Sequence, residues 1–327
     1  MKKKALILGV TGQDGSYLAE ILLEKGYEVF GLVRRSATGN TKNIRHLLDK
    51  IKLEAGDLAD APSLYRIIQS IKPHEIYNEA DQDHAGWSYH VVDYASDITG
   101  AAPGRLMEII CQTDKKIKYF QPLTSNMFGQ AEGDSQNENT PLKPQSPYAC
   151  AKAYAWMLVR YFREVHGLFA STGIFFNHES PRRVEEYVTR KITKAAVRIS
   201  MGLQDKLLLG NIDIRIDFGY AKDYMEAAHS ILQLEKADDF IIGTGEIHSV
   251  REWAEEAFRQ VGLDANKYIQ IDPKFFRPGG TASLRADATK AKKTFGFKQT
   301  LTFKELIACM IAQDKEDAEN EIKIKKC

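Results

Sequence analysis

Three glycines near the start of the chain have the spacing of a diphosphate-binding turn. Gly9, Gly12 and Gly15 lie in the segment GVTGQDG, between a short apolar run and an amphipathic segment. A glycine turn between a strand and a helix presents backbone N–H groups and the positive end of the helix dipole to a phosphate anion. The segment therefore predicts a dinucleotide-binding site, and the adjacent Gln13 and Asp14 are included among its cofactor-binding residues.

Charged residues at the ends of the next two strands indicate which dinucleotide binds. The second strand ends at Arg34 and Arg35, where proteins that bind NAD usually have an acidic residue for the ribose hydroxyls. A guanidinium group suits a 2′-phosphate, so the sequence favours NADP, and one of the two arginines would suffice while the other faces solvent. Asp57, after the third strand and beside Leu58, is interpreted either as an acceptor for the adenine amino group or as a helix N-cap.

Tyr148 and Lys152 form a candidate acid/base pair. They are four residues apart on a helix introduced by Ser146 and Pro147, so both side chains lie on one face. We expect the Lys152 ammonium to lower the pKa of Tyr148, which would make the phenol a usable acid/base at a sugar hydroxyl. Thr124, at the end of a predicted strand, could share the same substrate oxygen through its hydroxyl.

These residues need alternating strands and helices to position them. The predicted strands are residues 5–9, 27–33, 52–56, 75–78, 118–122 and 171–176. The predicted helices between them include residues 16–25, 61–71 and 147–166. The alternation predicts an α/β fold with a doubly wound parallel sheet, the Rossmann architecture.

The alternation weakens after residue 177, which predicts a smaller C-terminal α/β domain. Helices are expected at residues 250–261 and 302–313 without strands of the same rhythm, and the final EIKIKKC reads as a solvated tail. We expect residues 1–178 to bind the cofactor and residues 179–327 mainly to bind substrate. Residues 212–247 are expected to return to the first domain, with a strand at 239–243.

Composition excludes several classes of protein. The 327 residues carry a net charge of +1, so no long-range field favours nucleic acid or an anionic membrane. The four cysteines show no CxxC pair, which argues against a zinc site or a disulfide framework and fits a reducing cytoplasm. The opening MKKKALILGV resembles a signal peptide, but its apolar run ends at Thr11, so it is interpreted as a strand. No apolar stretch has the length of a membrane span.

Several passages together resemble the extended short-chain dehydrogenase/reductase superfamily, and within it the GDP-mannose 4,6-dehydratase family. The resemblance covers nearly the whole chain, and its most specific passages are SPYACAK, GYAKDY, FNHESPRR and TGEIHSVRE. It implies an NADP that takes hydride from C4 of GDP-mannose, loss of water across C5 and C6, and return of the hydride to C6, giving GDP-4-keto-6-deoxymannose. By position, Tyr148 would deprotonate the C4 hydroxyl and Thr124 would position it. Lys152 would lower the pKa of Tyr148 and bind the nicotinamide ribose.

The resemblance also implies residues for the rest of the ligand and a partner. Asn177, Lys191 and Arg277 match positions that the family uses near the sugar, the diphosphate and the nucleotide. The loop at residues 35–43 resembles a segment that reaches the cofactor of a neighbouring subunit. A homo-oligomer, a dimer or a tetramer, is therefore implied.

The sequence departs from the family pattern at three ligand positions. The family's STSE, whose glutamate is the base at C5 and the acid for the departing C6 hydroxyl, is LTSN here, with Asn126 at the acid's position. An amide exchanges no proton near neutral pH, and general acid–base catalysis is typically worth about 10²–10⁴-fold in rate. Ile216 stands where a phosphate-binding arginine is expected, and the neighbouring Arg215 would face the opposite side of a strand. Gly280 replaces an acid near the nucleotide ribose.

The loop after the fourth strand is the most altered segment. The family's small, apolar LAAQSHV is EADQDHA, with Glu79, Asp81 and Asp83 close to the expected diphosphate, which they would repel unless they are partnered. Asp81, Asp83 or His84 could supply the missing proton transfer. The alternative is that the acids are solvated or paired with a neighbouring lysine.

Three further residues carry weaker expectations. Pro103 is expected to interrupt a long helix that begins near residue 97. His178 and His248 lie in family-like motifs, where a histidine more often fixes loop geometry through hydrogen bonds than acts as a catalyst. No carboxylate or cysteine lies at metal-ligand spacing, so no metal is expected.

Three functions remain open at this level. The first is an NADP-dependent 4,6-dehydratase whose elimination is impaired at Asn126. The second is a nucleotide-sugar C4 epimerase or ketoreductase, for which Tyr148 and Lys152 suffice. The third is a catalytically inactive homologue.

Overall fold

The computed structural model describes residues 2–36, 39–276 and 283–325, and its largest element is a seven-stranded sheet. Its strands are β1 (Lys4–Leu8), β2 (Glu28–Val33), β3 (Lys52–Ala55), β4 (Glu75–Asn78), β5 (Lys118–Thr124), β6 (Ala170–Phe175) and β10 (Asp239–Ile242). They lie in the order β10-β6-β5-β4-β1-β2-β3, and every pairing is parallel. This confirms the predicted doubly wound α/β fold, whose chain order reverses between β1 and β4.

Helices cover both faces of this sheet. They are α1 (Gln13–Glu24), α2 (Ala61–Ile71), α3 (Ala85–Ser88), α4 (Val92–Ala95), α5 (Ala102–Thr113), α6 (Pro147–His166) and α8 (Ala221–Leu232). Side chains alternate along a strand, so Ile7 joins the core under α1 and α8 while Leu6 and Leu8 join the core under α2 and α5. Two apolar layers therefore enclose the sheet and leave only the ends of its strands open.

The helical stretch around Pro103 differs from the expected interruption. A π-helical turn at Ser96–Ala101 leads directly into α5, and Pro103 lies in the first turn of that helix. A proline lacks the backbone N–H, and the first turn of a helix is where the missing donor costs least. The proline therefore coincides with a change of hydrogen-bonding pattern, and the helical path continues.

The second part of the molecule has its own small sheets and core. Strands β7 (Asn177–Glu179), β9 (Arg215–Tyr220) and β11 (Ile247–Ser249) form a sheet in the order β11-β9-β7, and β8 (Leu207–Leu209) pairs with β12 (Ile269–Ile271). The helices are α7 (Val188–Ser200), α9 (Val250–Gln260), α10 (Thr289–Phe295) and α11 (Phe303–Lys325). Trp253 and Phe258 of α9 are fully buried in the core that α7, α9 and α11 share.

The chain crosses between the two parts more than once. Strand β10 is the edge strand of the large sheet, beside β6, and α8 packs against α1 on one face of that sheet. Strand β9, which comes just before α8, belongs to the three-stranded sheet instead. Residues 221–242 are thus the part of the 212–247 segment that lies on the large sheet.

The C-terminal helix is longer than expected. Helix α11 continues to Lys325, and Glu321 pairs with Arg198 of α7. The last residues are therefore helical, but Lys323 and Ile324 are exposed, so the expectation that the chain end is solvated holds at these residues. No helix in the described part of the chain is both long and apolar enough to cross a membrane.

Candidate active site

A large cavity lies at the carboxyl ends of the parallel strands. It has a volume of ≈ 870 Å³ and extends from Gly9 and Arg34 at one end to Lys191 and Phe275 at the other. The large sheet supplies one wall, and β7, α7 and β9 of the second part supply the other. Ligands of doubly wound sheets bind at this edge, and the elongated shape can hold two ligands end to end.

The glycine turn has the close packing that its spacing predicts. Gly9 has φ +78°, and a Cβ at this position would lie 2.4 Å from the carbonyl oxygen of Glu79. A Cβ on Gly15 would lie 2.3 Å from the carbonyl oxygen of Gly9. Gly9 and Gly12 line the cavity, whereas Gly15 does not and instead lets α1 pack against the turn. The cradle therefore fits a diphosphate, since any side chain on these glycines would meet backbone.

The side chains of Gln13 and Asp14 are engaged by β7 and by the residue that follows it. Ser180 donates a hydrogen bond to Gln13 at 2.7 Å, and Nε2 of His178 donates to the Asp14 carboxylate at 2.9 Å. Nδ1 of His178 donates to the carbonyl of Phe176 at 2.9 Å. Burial works against the imidazolium, but the Asp14 carboxylate outweighs it and raises the pKa of His178. His178 thus fixes loop geometry, as predicted.

His248 also has a structural environment. Its ring stacks on Phe303 with centroids 3.8 Å apart, and its Nδ1 lies 3.7 Å from the carboxylate of Glu252. It does not line the cavity. The expectation that His248 fixes loop geometry through hydrogen bonds is not met among the described residues, because its buried Nε2 has no hydrogen-bond partner there and its ring is held by stacking on Phe303.

Arg34 lines the cavity and Arg35 does not. Nη1 of Arg34 donates to the hydroxyl of Tyr94 at 2.8 Å, which holds the guanidinium at the mouth beyond β2. Asp57 and Leu58 line the cavity beside it. The Asp57 carboxylate accepts from the N–H of Ala59 at 2.9 Å, and α2 begins later, so the interpretation of Asp57 as the N-cap of α2 is wrong.

The acid/base residues meet at the middle of the cavity. Ser146 caps α6 by accepting from the N–H of Ala149, and Tyr148 and Lys152 lie in the first turns of that helix. Thr124 ends β5, and the N–H of Asn126 donates to its hydroxyl at 3.2 Å. All four of Thr124, Asn126, Tyr148 and Lys152 line the cavity. The fold therefore brings together the residues proposed for chemistry.

The electrostatics of this cluster differ from the expectation. Nζ of Lys152 forms an ion pair with Asp81 and donates to the carbonyl of Pro122 at 2.7 Å. Burial, followed by the charges of Asp81 and Asp83, raises the pKa of Tyr148 well above its ordinary value. The prediction of a lowered pKa is wrong, because Asp81 balances the ammonium that was expected to stabilise the phenolate.

The other acids of the same loop have distinct environments. Burial, with the charges of Asp14 and Asp81, raises the pKa of Glu79 well above the ordinary value and favours the neutral carboxylic acid beside the glycine turn. Oε1 of Glu79 is buried without a hydrogen-bond partner among the described residues. The cradle therefore does not present three negative charges to a diphosphate.

The three candidates for the missing base have different environments in the structure. Asp81 is held by Lys152, and Nδ1 of His84 accepts from the N–H of Trp87 at the start of α3. Asp83 is exposed in the cavity, and its charge raises the pKa of Tyr187, although burial contributes more. Asp83 is thus the acid that faces the open space.

Two of the three residues predicted to bind substrate line the cavity, and the third lies outside the described residues. Asn177 and Lys191 line the cavity, and Nζ of Lys191 donates to the carbonyl of Leu208 at 2.8 Å. Ile216 lines it as well, whereas Arg215 donates to the carbonyl of Ile247 and does not line the cavity, so Arg215 does not replace the cation expected at position 216. Arg277 and Gly280 lie outside the described residues.

Arg183 is a cavity-lining residue that the sequence analysis missed. Its guanidinium lies 3.5 Å from the ring centroid of Tyr187, and its Nε lies 3.4 Å from the carboxylate of Glu179. Both charges of the pair are nearly buried. The available signal was its place in the FNHESPRR passage, where two arginines closely follow Asn177.

The sheet order, the glycine turn and the Thr124, Tyr148 and Lys152 cluster define an extended short-chain dehydrogenase/reductase. A dTDP-glucose 4,6-dehydratase from Streptomyces venezuelae has the same fold, with a TM-score of 0.85 at 21% identity over 97% of this chain and 98% of that one. A UDP-glucose 4-epimerase from Thermus thermophilus gives a TM-score of 0.83 at 22% identity over 95% and 99%. At these identities the likeness shows the fold alone.

Sequence similarity is more specific. The sequence model of the GDP-mannose 4,6 dehydratase family matches residues 6–310. The chain is 46% identical to GDP-mannose 4,6 dehydratase 1 of Arabidopsis thaliana over 98% of this chain and 92% of that protein. It is 42% identical to the human GDP-mannose 4,6 dehydratase (95% and 91%) and 39% identical to that of Vibrio cholerae (99% and 97%). The chain belongs to the GDP-mannose 4,6-dehydratase family.

Proposed function

We propose that this chain is an NADP-dependent hydro-lyase that converts GDP-mannose to GDP-4-keto-6-deoxymannose, with a slow elimination step. The observation that carries the proposal is the continuous cavity, which joins the glycine turn, the Tyr148 cluster and Lys191 in a member of this family. A cofactor at one end and a sugar nucleotide at the other would meet at Tyr148.

The residues at the first end suit NADP. Gly9 and Gly12 leave room for the diphosphate at the start of α1, and Arg34 offers a guanidinium for the 2′-phosphate. Asp57 and Leu58 lie where an adenine would be held. The bound cofactor would supply reversible hydride transfer, and the neutral form of Glu79 limits repulsion of its phosphates.

The residues at the second end suit a sugar diphosphate. Lys191 and Arg183 are cations that line the cavity, and Asn177 lines it as well. We propose that Asn177, Lys191 and Arg277 contact the sugar nucleotide, and that Thr124 and Tyr148 hold the sugar hydroxyl. The apolar Ile216 weakens the diphosphate site by one charge-assisted contact.

Asn126 limits the elimination. Its backbone N–H donates to the hydroxyl of Thr124, and Asn126 lines the cavity. A carboxyl group at this position would exchange the proton at C5, whereas a side-chain amide is neither a usable acid nor a usable base. Among the acids of the altered loop, Asp83 faces the cavity and is the residue left to serve in its place. Oxidation and reduction at C4 need only Tyr148 and Lys152, so this step is the less impaired one.

One assay separates the three functions. The purified chain is incubated with NADP and GDP-mannose that carries deuterium at C4, and the sugar nucleotides are followed by mass. Loss of one water with retention of the label supports the dehydratase. Unchanged mass with inverted configuration at C4, detected by NMR of the sugar nucleotides, supports the C4 epimerase, because the same deuteride returns to C4. Transfer of the label to free reduced NADP without water loss supports the ketoreductase. If Tyr148→Phe and the parent chain give identical, unchanged substrate, both enzymatic proposals fail.

We also propose a homodimer that forms through α6. Four of its large apolar side chains are exposed at intervals of three and four residues: Tyr154 (50%), Met157 (59%), Tyr161 (48%) and Val165 (67%). A stripe of this kind on one helix suits an isologous contact with the same helix of a second copy.

We propose a cytoplasmic location as well. The described cysteines, Cys111, Cys150 and Cys309, are free thiols, in keeping with that location.

We further propose that different parts of the chain bind the cofactor and the substrate. Residues 1–178, with chain that returns from the 212–247 segment, would bind the cofactor. The remainder would mainly bind the sugar nucleotide. The support is that the glycine turn and Arg34 lie on one side of the cavity and Lys191 on the other.

A further inference from the structure

The buried ion pair between Lys152 and Asp81 is the feature of the site that the proposed reaction does not use. The Lys152 and Asp81 side chains are 3% and 10% exposed. The ammonium contacts the Asp81 carboxylate and the carbonyl of Pro122, so two of its three hydrogens are already engaged. Little solvent is present to screen this pair, and its partners are fixed by β5 and by the loop after β4.

The pair lies close enough to Tyr148 to control it. Nζ of Lys152 is 5.8 Å from the centroid of the Tyr148 ring. An unpaired ammonium at this distance stabilises a phenolate, but an ammonium in contact with a carboxylate presents a dipole whose field falls off faster. Tyr148 is buried, so it also lacks the hydration that would otherwise stabilise its anion.

The remaining charged groups around Tyr148 and the pair come from three segments. They are Glu79 and Asp83 in the loop after β4, Asp14 in α1, and Arg183 and Tyr187 in the connection between β7 and α7. Arg183 is engaged by Glu179, and Asp14 by His178. Lys152, whose Nζ lies 5.8 Å from the centroid of the Tyr148 ring, is paired with Asp81, so Asp81 is the group that offsets its charge.

We propose that Asp81 is a positioning residue that withholds the Lys152 charge from Tyr148 and thereby moves proton exchange at the substrate hydroxyl to alkaline pH. The role of that exchange in catalysis rests on the proposed function. The electrostatic effect itself belongs to the protein without ligands. An uncharged residue at position 81 would free the ammonium to face the phenol oxygen.

The titration of Tyr148 tests this in the full chain without ligands. Tyrosines are labelled with ¹³C at Cζ, and the Tyr148 signal is identified by its loss in Tyr148→Phe. Asp81→Asn, which keeps the shape and removes the charge, is expected to lower the titration midpoint of Tyr148 by about 1–3 pH units. Asp49→Asn, which removes an exposed acid outside the cavity, is the matched control and should leave the midpoint unchanged.

Two results would overturn the proposal. One is a Tyr148 midpoint in the parent protein at or below that of Tyr65, which is 41% exposed on α2. The other is an unchanged midpoint in a folded Asp81 variant. If Asp81→Asn does not fold, Asp81→Ala is measured in its place. The comparison of Tyr148 with Tyr65 is made in the parent protein and needs no variant at position 81.

Activity measurements distinguish this inference from the proposed function. If both hold, the acidic limb of the pH profile of label transfer from C4 to C6 moves to lower pH in Asp81→Asn by the same interval as the NMR midpoint. If the midpoint moves but no variant transfers the label to C6, the ion-pair inference stands and the proposed function fails. A moved pH profile with an unmoved midpoint refutes the ion-pair inference alone.

Discussion

Asn126 and Tyr148 line the same cavity, yet only the side chain of Tyr148 can act as an acid or a base. The Tyr148 phenol can exchange a proton once its pKa is brought into range, whereas the amide of Asn126 has no proton to exchange at any pH at which the fold survives. The two steps of the proposed reaction are therefore limited by different residues. A charge next to Lys152 limits the step at C4, and a missing carboxyl limits the step at C5.

Restoring the carboxyl should restore the elimination. Asn126→Glu is expected to raise the rate of water loss from GDP-mannose by about 10²–10⁴-fold, the usual contribution of a positioned general acid/base. The measurement is the initial rate of product formation by mass. Asn126→Gln, with the same length and no acid, is the control and should stay at the parent rate. Equal rates for all three proteins would show that another step limits turnover.

Arg34 should carry the preference for NADP. Its guanidinium lines the cavity beyond β2, whereas Arg35 lies outside it. Loss of a hydrogen bond to a charged group is typically worth about 1.5–3 kcal/mol, so Arg34→Ala should weaken NADP binding by roughly 10–100-fold. Binding of NAD should change little, and Arg35→Ala is the matched control. Calorimetric titration of each variant with both dinucleotides measures the effect, and equal losses for the two arginines would contradict the assignment.

At the scale of elements, the contact between α1 and the glycine turn positions the cofactor end of the cavity. Gly15 of α1 lies against the carbonyl of Gly9, and no side chain fits between them. The three glycines thus have different physical roles: a positive φ at Gly9, an open helix start at Gly12 and close packing at Gly15. Only the first two face the ligand.

A methyl group at position 15 should therefore separate α1 from the turn. Gly15→Ala is expected to destabilise the fold by about 1–3 kcal/mol, the range for overpacked sites, and to weaken cofactor binding. Thermal unfolding and dinucleotide titration measure both effects. Gly104→Ala in α5 is the control, since its Cβ would meet only the end of Leu158 at 3.0 Å and alanine favours a helix. A Gly15→Ala protein as stable as the control would contradict the packing argument.

At the scale of the whole molecule, the exposed stripe of α6 links the site to assembly. Tyr148 and Lys152 lie at the buried start of this helix, while Tyr154, Met157, Tyr161 and Val165 lie exposed farther along it. A second copy on the stripe would bury these side chains and clamp the helix that carries the acid/base pair. The dimer and the active site would then share one element.

A charge on the stripe should separate the copies. Met157→Glu is expected to shift the chain from dimer to monomer, because a carboxylate would be buried without a partner in the contact. Sedimentation velocity measures the mass of the assembly. Tyr65→Glu, at an exposed aromatic residue of α2, is the matched control and should leave the dimer intact. A parent chain that is already a monomer, or a Met157→Glu dimer, would contradict the proposed contact.

The sequence by itself determined the alternation of elements and most of their limits. Helix α2 spans Ala61–Ile71 and helix α6 spans Pro147–His166, as predicted, because proline and apolar periodicity act over a few neighbouring residues. The shared face of Tyr148 and Lys152 follows from helix geometry alone. Asn126 was evident from the sequence too, since the loss of a carboxyl is a property of the residue type.

The tertiary structure determined the burial of these residues and the charges around them. Asp81 and Lys152 are far apart in the chain and meet only because β4 and β5 are neighbours in the sheet, so no local pattern could show that Lys152 is already paired. The ion pair between Glu321 and Arg198 of another helix likewise joins residues that are far apart in the chain. Local preference sets where an element begins and ends, but charge and burial add up over everything that surrounds a side chain, and only the folded chain defines those surroundings.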